Sequence, residues 1–244
     1  MTETLTVNEI YLSIQGESTF AGLPCIFVRL TACNLRCSYC DTAYAFTQGT
    51  KLPGDEIRRR VHELALPFGE AVDLPKLPLI EFTGGEPLLQ ANSLPLMKSF
   101  CDDGYIVLLE TSGALDISKV DTRVHRIMDL KCPSSGESSR NRWENLSALK
   151  STDEVKFVIG TQEDYDWAKK MISEHLLEKI CPLLFSWVAP LRPQQQDKSL
   201  KKVPSDQRPI SRRELVEKLI ADALPVRFQL QMHKFIWPPD ARGV

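Results

Sequence analysis

The chain has 244 residues, of which 43% are hydrophobic and 25% are charged, and this composition excludes a disordered or fibrous protein. The formal net charge of -2 gives no overall attraction to nucleic acid or to an anionic membrane, so a small-molecule substrate is the expected partner. The sequence has neither a signal-peptide pattern nor the roughly 18 apolar residues in a row that a membrane helix needs, which predicts one cytoplasmic domain over residues 1–244.

Short apolar runs rich in β-branched residues alternate with longer amphipathic stretches, the pattern of an α/β fold in which helices cover a parallel sheet. The predicted strands are Cys25–Leu30, Leu79–Thr83, Tyr105–Thr111, Arg126–Leu130, Val155–Ile159, Pro182–Val188 and Val226–Met232. Helices are predicted over Asp55–Leu66 and Gln162–Leu177. A capping box of Ser211 and Glu214 predicts a third helix that runs to Ala223.

Two segments lie outside this alternation. The run Thr6–Ile14 precedes it and is expected to add an edge strand or a hairpin. Residues 190–209 are polar and interrupted by proline, so they cannot bury enough apolar surface to pack by themselves. A mobile loop insertion is predicted there.

Polar or glycine-rich segments follow four consecutive predicted strands. They are the cysteine-rich stretch after Cys25–Leu30 and the segments at 84–87 (Gly-Gly-Glu-Pro), 110–113 (Glu-Thr-Ser-Gly) and 129–133 (Asp-Leu-Lys-Cys-Pro). The carboxyl ends of parallel strands lie at one edge of a sheet, and ligands bind at that edge. The four segments are therefore expected to surround one pocket.

Three of the seven cysteines, Cys33, Cys37 and Cys40, fall within eight residues, too close together for a disulfide framework. In a reducing compartment such crowding favours metal ligation. A helical face of buried cysteines is one alternative, although the intervening residues are polar. A zinc site is another, but it needs a fourth ligand, and His62 is too isolated in sequence to be assigned. The remaining cysteines are interpreted as buried structural thiols: Cys25, Cys101, Cys132 and Cys181.

Three thiolates on a four-iron cluster leave one iron without a protein ligand, and the amine and carboxylate of S-adenosylmethionine can chelate that iron. The stretch 33–40, CNLRCSYC, resembles the C-x3-C-x2-C signature of the radical S-adenosylmethionine superfamily, and residues 84–87 resemble its methionine-binding segment. The resemblance implies a partial (β/α) barrel of the radical SAM type with a [4Fe-4S] cluster on the three cysteines. In such an enzyme the cofactor carries out the difficult chemical step, while the protein positions the reactants and shields the reactive site.

Several flanking segments resemble the 7-carboxy-7-deazaguanine synthase family. They are Ser-Ile-Gln-Gly-Glu at 13–17, Ala-Gly-Leu-Pro at 21–24, Phe-Val-Arg-Leu at 27–30, Cys-Asp-Thr at 40–42, Cys-Pro-Ser-Ser-Gly at 132–136 and Leu-Gln-Met-His-Lys-Phe-Ile-Trp at 230–237. The resemblance implies a lyase that converts 6-carboxy-5,6,7,8-tetrahydropterin to 7-carboxy-7-deazaguanine with loss of ammonia, in queuosine and deazapurine biosynthesis. It also implies a homodimer and an electron donor such as flavodoxin or ferredoxin.

The same resemblance assigns roles to individual residues. Substrate binding is implied for Ile14, Gln15, Gly16, Glu17, Arg29, Thr83 and His233. Contact with S-adenosylmethionine is implied for Tyr39, Cys40, Asp41, Gly85, Glu86, Ser112, Asp129, Leu130 and Lys131. Thr42 is expected to give its hydroxyl to an Mg²⁺ ion that also holds the substrate. The side-chain chemistry agrees with these assignments. The two parallel N–H groups of an arginine guanidinium suit a carboxylate, and Gln and Glu can pair with the amide and amino edge of a pterin.

Taken singly, these residues have ordinary alternatives. Residues 15–17 can form a plain turn, Arg29 a surface ion pair, and Thr42 a cap. His233, in a predicted apolar strand, can be a satisfied core residue.

Two other functions share the cysteine triplet: an enzyme that activates a glycyl-radical partner, and a non-catalytic iron–sulfur or zinc protein.

Two positions depart from the family's pattern. Ser18 follows Gln-Gly-Glu where the family often has glycine, and Ala32 precedes the first cluster cysteine where glycine is usual. Both substitutions are small, so the predicted chemistry stays in place, and the expected consequence is confined to the local loop geometry.

Overall fold

The computed structural model describes residues 4–69, 76–238 and 241–244, and these form one open sheet of nine strands. In chain order the strands are β1 Thr4–Ile14, β2 Pro24–Leu30, β3 Thr50–Pro53, β4 Lys76–Gly84, β5 Tyr105–Thr111, β6 His125–Leu130, β7 Glu154–Ile159, β8 Leu183–Trp187 and β9 Arg227–Gln229. Their spatial order is β3-β1-β2-β4-β5-β6-β7-β8-β9. Strand β1 is antiparallel to β2 and β3, and from β2 onwards neighbouring strands are parallel.

The predicted α/β fold is confirmed, and six of the seven predicted strands lie in the parallel part of the sheet with ends shifted by at most three residues. Of the two alternatives for Thr6–Ile14, the hairpin is present, as β1 with β2, whereas the edge strand is β3, which pairs with the other side of β1. The seventh strand, Val226–Met232, is wrong in its second half, because β9 ends at Gln229 and a helix begins at His233. The backbone N–H of Met232 donates to the carbonyl of Gly16 at 3.0 Å, which turns the chain away from the sheet edge.

Helices lie between the parallel strands. They are α1 Gly54–Ala65, α2 Ser93–Asp102, α3 Gln162–His175, α4 Arg212–Ala221 and the short α5 His233–Ile236. The predicted capping box is confirmed, since Ser211 Oγ accepts from the N–H of Glu214 and the Glu214 carboxylate accepts from the N–H of Ser211. Helix α2 and strand β3 were not predicted. In the part of the chain that the structure describes, no helix is long and apolar enough to cross a bilayer.

The two faces of the sheet differ in what covers them, because side chains alternate along each strand. On β2, Ile26 and Val28 belong to the main core, which packs against helices α1 to α4. The opposite face begins with a small apolar cluster at the amino halves of the strands, made of Cys25, Phe27, Leu79, Leu108 and Ile127. Toward the carboxyl ends, polar residues at the same alternation continue this face: Arg29, Thr83, Glu110, Asp129 and Lys156. The alternation thus directs a row of charged and hydroxyl side chains toward one side of the sheet.

All seven cysteines are free thiols. Three of the four interpreted as structural are buried, namely Cys25, Cys132 and Cys181, whereas Cys101 is only partly buried. The polar segment 190–209 contains one short turn of 3-10 helix at 193–195 and is otherwise irregular.

Candidate active site

A cavity of about 570 Å³ opens at the carboxyl ends of the parallel strands. All four segments predicted to converge line it: the cysteine loop, Gly84 with Gly85, residues 110–112, and Asp129 with Lys131. The predicted pocket is therefore present where the strand order places it. Residues 194–197 and 241–244 also line it.

The three clustered thiols line this cavity together. The Sγ of Cys33 accepts from the N–H of Leu35 at 3.4 Å, and the N–H of Cys40 donates to the carbonyl of Cys37 at 3.2 Å, so local hydrogen bonds fix the turns of the loop. Burial raises the pKa of Cys37 to about 11 and that of Cys40 to about 12. A bound cation would therefore have to displace these protons to obtain thiolate ligands.

Among the described residues, no group of three or more His, Cys, Asp or Glu side chains is arranged to hold a metal ion. A structural zinc site needs four such ligands in a closed tetrahedron, and no fourth His or Cys joins the three thiols among the residues that line the cavity, apart from His233 next to Gly16. Their donor chemistry, three soft sulfurs on one loop, fits an iron–sulfur cluster.

Buried polar atoms without a partner also mark this part of the cavity. The hydroxyl of Tyr39 and Oδ1 of Asp129, which both line the cavity, have no hydrogen-bond partner within the described residues. Burying such a group unpaired costs roughly 1–3 kcal/mol, so such atoms are uncommon without a ligand or water to satisfy them. The residues predicted to contact the cofactor therefore fit a polar ligand.

Gly85 packs directly against the cysteine loop. A Cβ atom on this residue would lie 2.0 Å from the carbonyl oxygen of Ala32 and 3.0 Å from the Cβ of Cys33, so no other residue fits without moving the loop. Glu86, predicted with it, faces inward instead. Its carboxylate accepts from the hydroxyls of Thr111 and Ser112 and from the N–H of Ser112, and thereby ties the end of β4 to the end of β5.

Two predicted cofactor residues place their side chains away from the cavity. Glu86 is wholly buried, and Leu130 belongs to the main core. Ser112 lines the cavity, although its hydroxyl is bonded to Glu86 at 2.6 Å. The other residues predicted to bind cofactor, substrate or metal all line the cavity.

One end of the cavity is built around Arg29. Its Nε donates to Glu9 Oε1 at 2.7 Å and one terminal nitrogen donates to the Tyr11 hydroxyl at 2.6 Å. The hydroxyl of Tyr44 donates to the same oxygen of Glu9 at 2.9 Å. Within the described chain, the other terminal nitrogen of Arg29 has no hydrogen-bond partner. We call these four residues the arginine end.

The opposite end is built around Lys156, whose side chain is only 4% exposed. Its ammonium lies 3.2 Å from Glu17 Oε2, forms an ion pair with Glu110, and lies 3.9 Å from Asp129 Oδ2. Asp129 has a nearer cation, Lys131, at 2.8 Å. We call these five residues the lysine end. With three carboxylates and two ammonium groups it carries one net negative charge.

The carboxyls on β4 and β5 titrate in opposite directions. Burial raises the pKa of Glu81 to about 8, and repulsion from Glu110 adds to this effect. Burial would also raise the pKa of Glu110, but the ion pair with Lys156 outweighs it and holds that pKa below its usual value. Glu81 is therefore neutral near pH 7, whereas Glu110 is ionised.

The predicted substrate residue Gln15 uses its side-chain amide inside the protein. Its Nε2 donates to Glu81 at 2.6 Å, and its Oε1 accepts from the N–H of Glu17 at 2.5 Å. Gly16 is in close contact with His233, since a Cβ on Gly16 would lie 2.7 Å from the ring Nδ1. Burial lowers the pKa of His233, which favours the neutral imidazole. His233 begins helix α5, so its interpretation as a residue of an apolar strand is wrong.

Thr42 follows the cysteine loop and lines the cavity. Its hydroxyl donates to Asp41 Oδ1 at 2.8 Å, and the other carboxylate oxygen of Asp41 pairs with Lys234 at 2.5 Å. A hydroxyl that donates once still has lone pairs free to coordinate a cation. The arrangement fits an oxygen-ligated metal beside the cluster loop.

The sequence analysis missed Glu81 and Lys156 as cavity residues. Each is a charged residue inside an otherwise apolar buried strand, and such a residue is rarely fully buried without a partner or a role. That signal was available in the sequence. No comparable pattern marks residues 194–197 or the C-terminal Arg242, whose guanidinium stacks on the Tyr44 ring at 4.0 Å.

The two departures from the family's pattern fall on unusual backbone. Ser18 has φ 63° and Ala32 has φ 80°, both in the left-handed region that favours glycine. The glycine preference at these positions thus has a conformational cause, and this chain adopts the same turns at some cost in strain.

Comparison with known proteins agrees with this geometry. Residues 28–174 match the family model of the Radical SAM superfamily. The 7-carboxy-7-deazaguanine synthase of Koribacter versatilis is 43% identical over 242 residues, covering 98% of this chain and 100% of that protein. The chain belongs to the 7-carboxy-7-deazaguanine synthase family. The synthase of Chlorobaculum tepidum is similar, with 44% identity over 98% of this chain and 97% of that one.

A solved structure shares the fold. The crystal structure of QueE from Escherichia coli superposes with a TM-score of 0.69 and covers 94% of this chain and 95% of that chain at 19% identity. As a member of this family the chain is a radical S-adenosylmethionine enzyme with a lyase reaction, and membership implies the iron–sulfur cluster and S-adenosylmethionine. Membership of this family decides against the two other functions, a glycyl-radical activating enzyme and a non-catalytic metal protein.

Proposed function

We propose that this protein converts 6-carboxy-5,6,7,8-tetrahydropterin to 7-carboxy-7-deazaguanine with loss of ammonia. The observation that carries the proposal is the charge difference across one cavity, with N–H donors at the arginine end and carboxylates at the lysine end. The substrate has the matching difference, because it carries a carboxylate on one ring and an amino and amide edge on the other.

The arginine end suits the substrate carboxylate. Arg29 has donors beyond the two that Glu9 and Tyr11 occupy, and a guanidinium binds carboxylates in a fixed fork. Glu17 and Glu110 at the lysine end accept hydrogen bonds, as the amino and amide edge requires. Thr83, whose hydroxyl donates to Glu110 at 3.1 Å, lies between the two ends.

The cofactors would lie on the third side of the cavity. Cys33, Cys37 and Cys40 would hold the cluster, and Tyr39, Asp129 and Gly85 would border S-adenosylmethionine. When bound, these cofactors supply the deoxyadenosyl radical that removes hydrogen from C6 of the substrate. The chain's own part is to orient the pterin between the two ends and to exclude water while the ring contracts.

We further propose that Thr42 coordinates Mg²⁺, with the substrate completing the coordination. Magnesium prefers oxygen ligands and leaves positions open to substrate or water. Asp41 supports this role, because its ion pair with Lys234 fixes the carboxylate to which the Thr42 hydroxyl donates. Turnover with and without added Mg²⁺, in wild type and in Thr42→Val, would test the assignment.

The test of the main proposal is anaerobic turnover of the reconstituted protein with the carboxypterin, with detection of the deazaguanine by mass spectrometry. Substrate deuterated at C6 should pass label into the cofactor. Cleavage of S-adenosylmethionine without a deazaguanine product would overturn the proposal, and unlabelled cofactor would overturn the hydrogen-abstraction step.

Two features come from the family alone. We infer that the protein is a homodimer and that it accepts electrons from a small acidic carrier of the flavodoxin or ferredoxin class. Sedimentation equilibrium tests the first inference. Turnover with reduced flavodoxin in place of dithionite tests the second.

A further inference from the structure

The first inference concerns Lys156, to which the resemblance assigns no role. It lies on β7, its Cα is paired in register with Asp129 on β6, and its ammonium reaches two carboxylates from different parts of the chain. Glu17 comes from the loop after β1, and Glu110 from the end of β5. One buried cation therefore joins three elements that surround the cavity.

The distances show which of its partners depend on Lys156. Asp129 lies 3.9 Å from the Lys156 ammonium but 2.8 Å from that of Lys131. Glu17 has one other side-chain partner, Gln231, at 3.1 Å, and Glu110 has Thr83 at 3.1 Å; neither partner is charged. Loss of Lys156 would thus leave Asp129 paired, while Glu17 and Glu110 would lose their cation.

Glu17 and Glu110 are partly buried, with side chains 16% and 30% exposed, and two such carboxylates at one site repel each other. Without a cation one of them takes up a proton or moves toward water, and either change alters the acceptors that the cavity presents. Of the other titratable groups that face them, Glu81 and His233 supply no positive charge near neutral pH. Lys131 attracts Glu110 but does not pair with it, because its ammonium is held by Asp129 at 2.8 Å.

We propose that Lys156 is a positioning residue that holds Glu17 and Glu110 in place as the acceptor pair for the amino and amide edge of the substrate. This inference rests on the proposed function and extends it. Lys156 acts through the two carboxylates and does not itself meet the reacting atoms.

The test compares Lys156→Met with wild type in the anaerobic, cluster-loaded protein. The KM for the carboxypterin should rise at least about tenfold, because bonds between charged groups are lost, whereas affinity for S-adenosylmethionine should change less than about twofold. Lys156→Arg, which keeps the charge, should recover most of the loss. Lys150→Met is the matched control, since Lys150 pairs with buried Asp153 at the amino ends of the strands.

A KM for Lys156→Met equal to that of Lys150→Met would overturn the inference while product formation by wild type left the proposed function intact. If Lys156→Met does not fold, the double variant Lys156→Met with Glu110→Gln removes both charges of the pair. It should have a higher KM than Glu110→Gln alone, because Glu17 still lacks its cation. Equal values would overturn the inference.

A second inference comes from an independent observation on the segment 190–209. The N–H of Lys201 donates to the carbonyl of Arg36, next to Cys37, at 2.9 Å. Its ammonium bonds the carbonyl of Gly136 at 2.6 Å and Glu137 at 2.9 Å, while the other oxygen of Glu137 accepts from the N–H of Arg36 at 2.7 Å. The segment is therefore fastened to the cysteine loop through one lysine.

The rest of the segment supports this anchor. Its C-terminal part is held at α3, where the N–H of Gln162 donates to Arg208 and Thr161 bridges to Pro209. Its earlier residues, 194–197, line the cavity. We infer that Lys201 holds segment 190–209 as a cover over the cluster side of the cavity, which slows the access of solvent and oxygen.

Lys201→Ala is the test, with Lys202→Ala as a matched control, because Lys202 is the adjacent exposed lysine and has no hydrogen bond or ion pair among the described residues. Deuterium exchange of the peptide 190–200 and loss of cluster absorbance in air should both become at least about threefold faster in Lys201→Ala alone, since it loses charge-assisted bonds. Equal rates in the two variants would overturn the anchor. Faster exchange with unchanged cluster loss would overturn the shielding.

Discussion

The two ends of the cavity both contain a buried cation, yet they present opposite surfaces to a ligand. Arg29 is balanced by one carboxylate, Glu9, and bonded to a phenol, which leaves N–H donors toward the cavity. Lys156 is outnumbered by Glu17, Glu110 and Asp129, so its end presents acceptors. Each end of the cavity therefore selects a different end of the substrate, and the number of carboxylates around the cation, rather than the cation itself, sets this selection.

The largest expected effect comes from breaking the arginine end with Arg29→Gln. The variant should lose at least about a hundredfold in kcat/KM for the carboxypterin, because a charged bidentate partner of the substrate carboxylate is removed. It should bind a tetrahydropterin that lacks the 6-carboxylate as well as wild type does. Isothermal titration with both ligands measures this difference.

Arg58→Gln is the control for Arg29→Gln, since Arg58 pairs with Asp103 away from the cavity. It should leave both affinities unchanged. Continued preference of Arg29→Gln for the carboxylated ligand would contradict the assignment of this end.

The lysine end should respond less strongly and to a different part of the substrate. Glu17→Gln keeps the size of the side chain but replaces one acceptor oxygen with a donor, so the KM should rise roughly tenfold. Loss of the amino group from the ligand should then cost the variant little further affinity, whereas it should weaken binding to wild type. Exposed Glu63→Gln on α1 is the control. A variant that still discriminates against the deaminated ligand would place the amino edge elsewhere.

Much of this arrangement could be predicted from the sequence, because it depends on local patterns. Alternating apolar runs identify the parallel strands, and the spacing of Cys33, Cys37 and Cys40 identifies the cluster loop. The order of strands in a parallel sheet then places the loops at one edge, as observed.

The features that were missed depend on long-range contacts. Strand β3 has four residues, three of them exposed, and gains its conformation only by pairing with β1. His233 lies in a helix because Met232 bonds Gly16, more than 200 residues away. Lys156 is tolerated in an apolar strand because Glu17 and Glu110 come from distant segments. The charge of Lys156 inside an apolar strand is visible in the sequence, but no local pattern identifies its partners, the pairing of β3 or the contact of Met232 with Gly16.

The contrast between Glu81, which has no cation, and Glu110, which has one, predicts a pH dependence of stability. Because the folded-state pKa of Glu81 is about 8, above its value in the unfolded chain, the folded protein holds a proton that the unfolded chain releases. Stability should therefore fall as the pH rises from about 5 to 8, by at most about 1.4 kcal/mol per pH unit from this group. Above pH 8 the contribution levels off.

Glu81→Gln should remove that part of the slope and keep the hydrogen bond from Gln15, because a glutamine amide resembles the neutral acid. Urea denaturation at several pH values between 5 and 8 measures the difference. Parallel pH curves for variant and wild type would mean that Glu81 is ionised in the folded state.

The smallest expected effect concerns the turn at Ala32, which joins β2, the strand that carries Arg29, to the cluster loop. An L-residue at φ 80° costs roughly 1–2 kcal/mol, and glycine avoids that cost but loses roughly 0.5–1 kcal/mol through the larger entropy of its unfolded chain. Ala32→Gly should therefore stabilise the protein by about 0.5–1 kcal/mol, or a few degrees in melting temperature. Ala148→Gly, at an ordinary negative φ, should destabilise it by a similar amount. Since neither end of the cavity is touched, both variants should keep wild-type KM; a changed KM in Ala32→Gly alone would show that the strained turn helps to position Arg29.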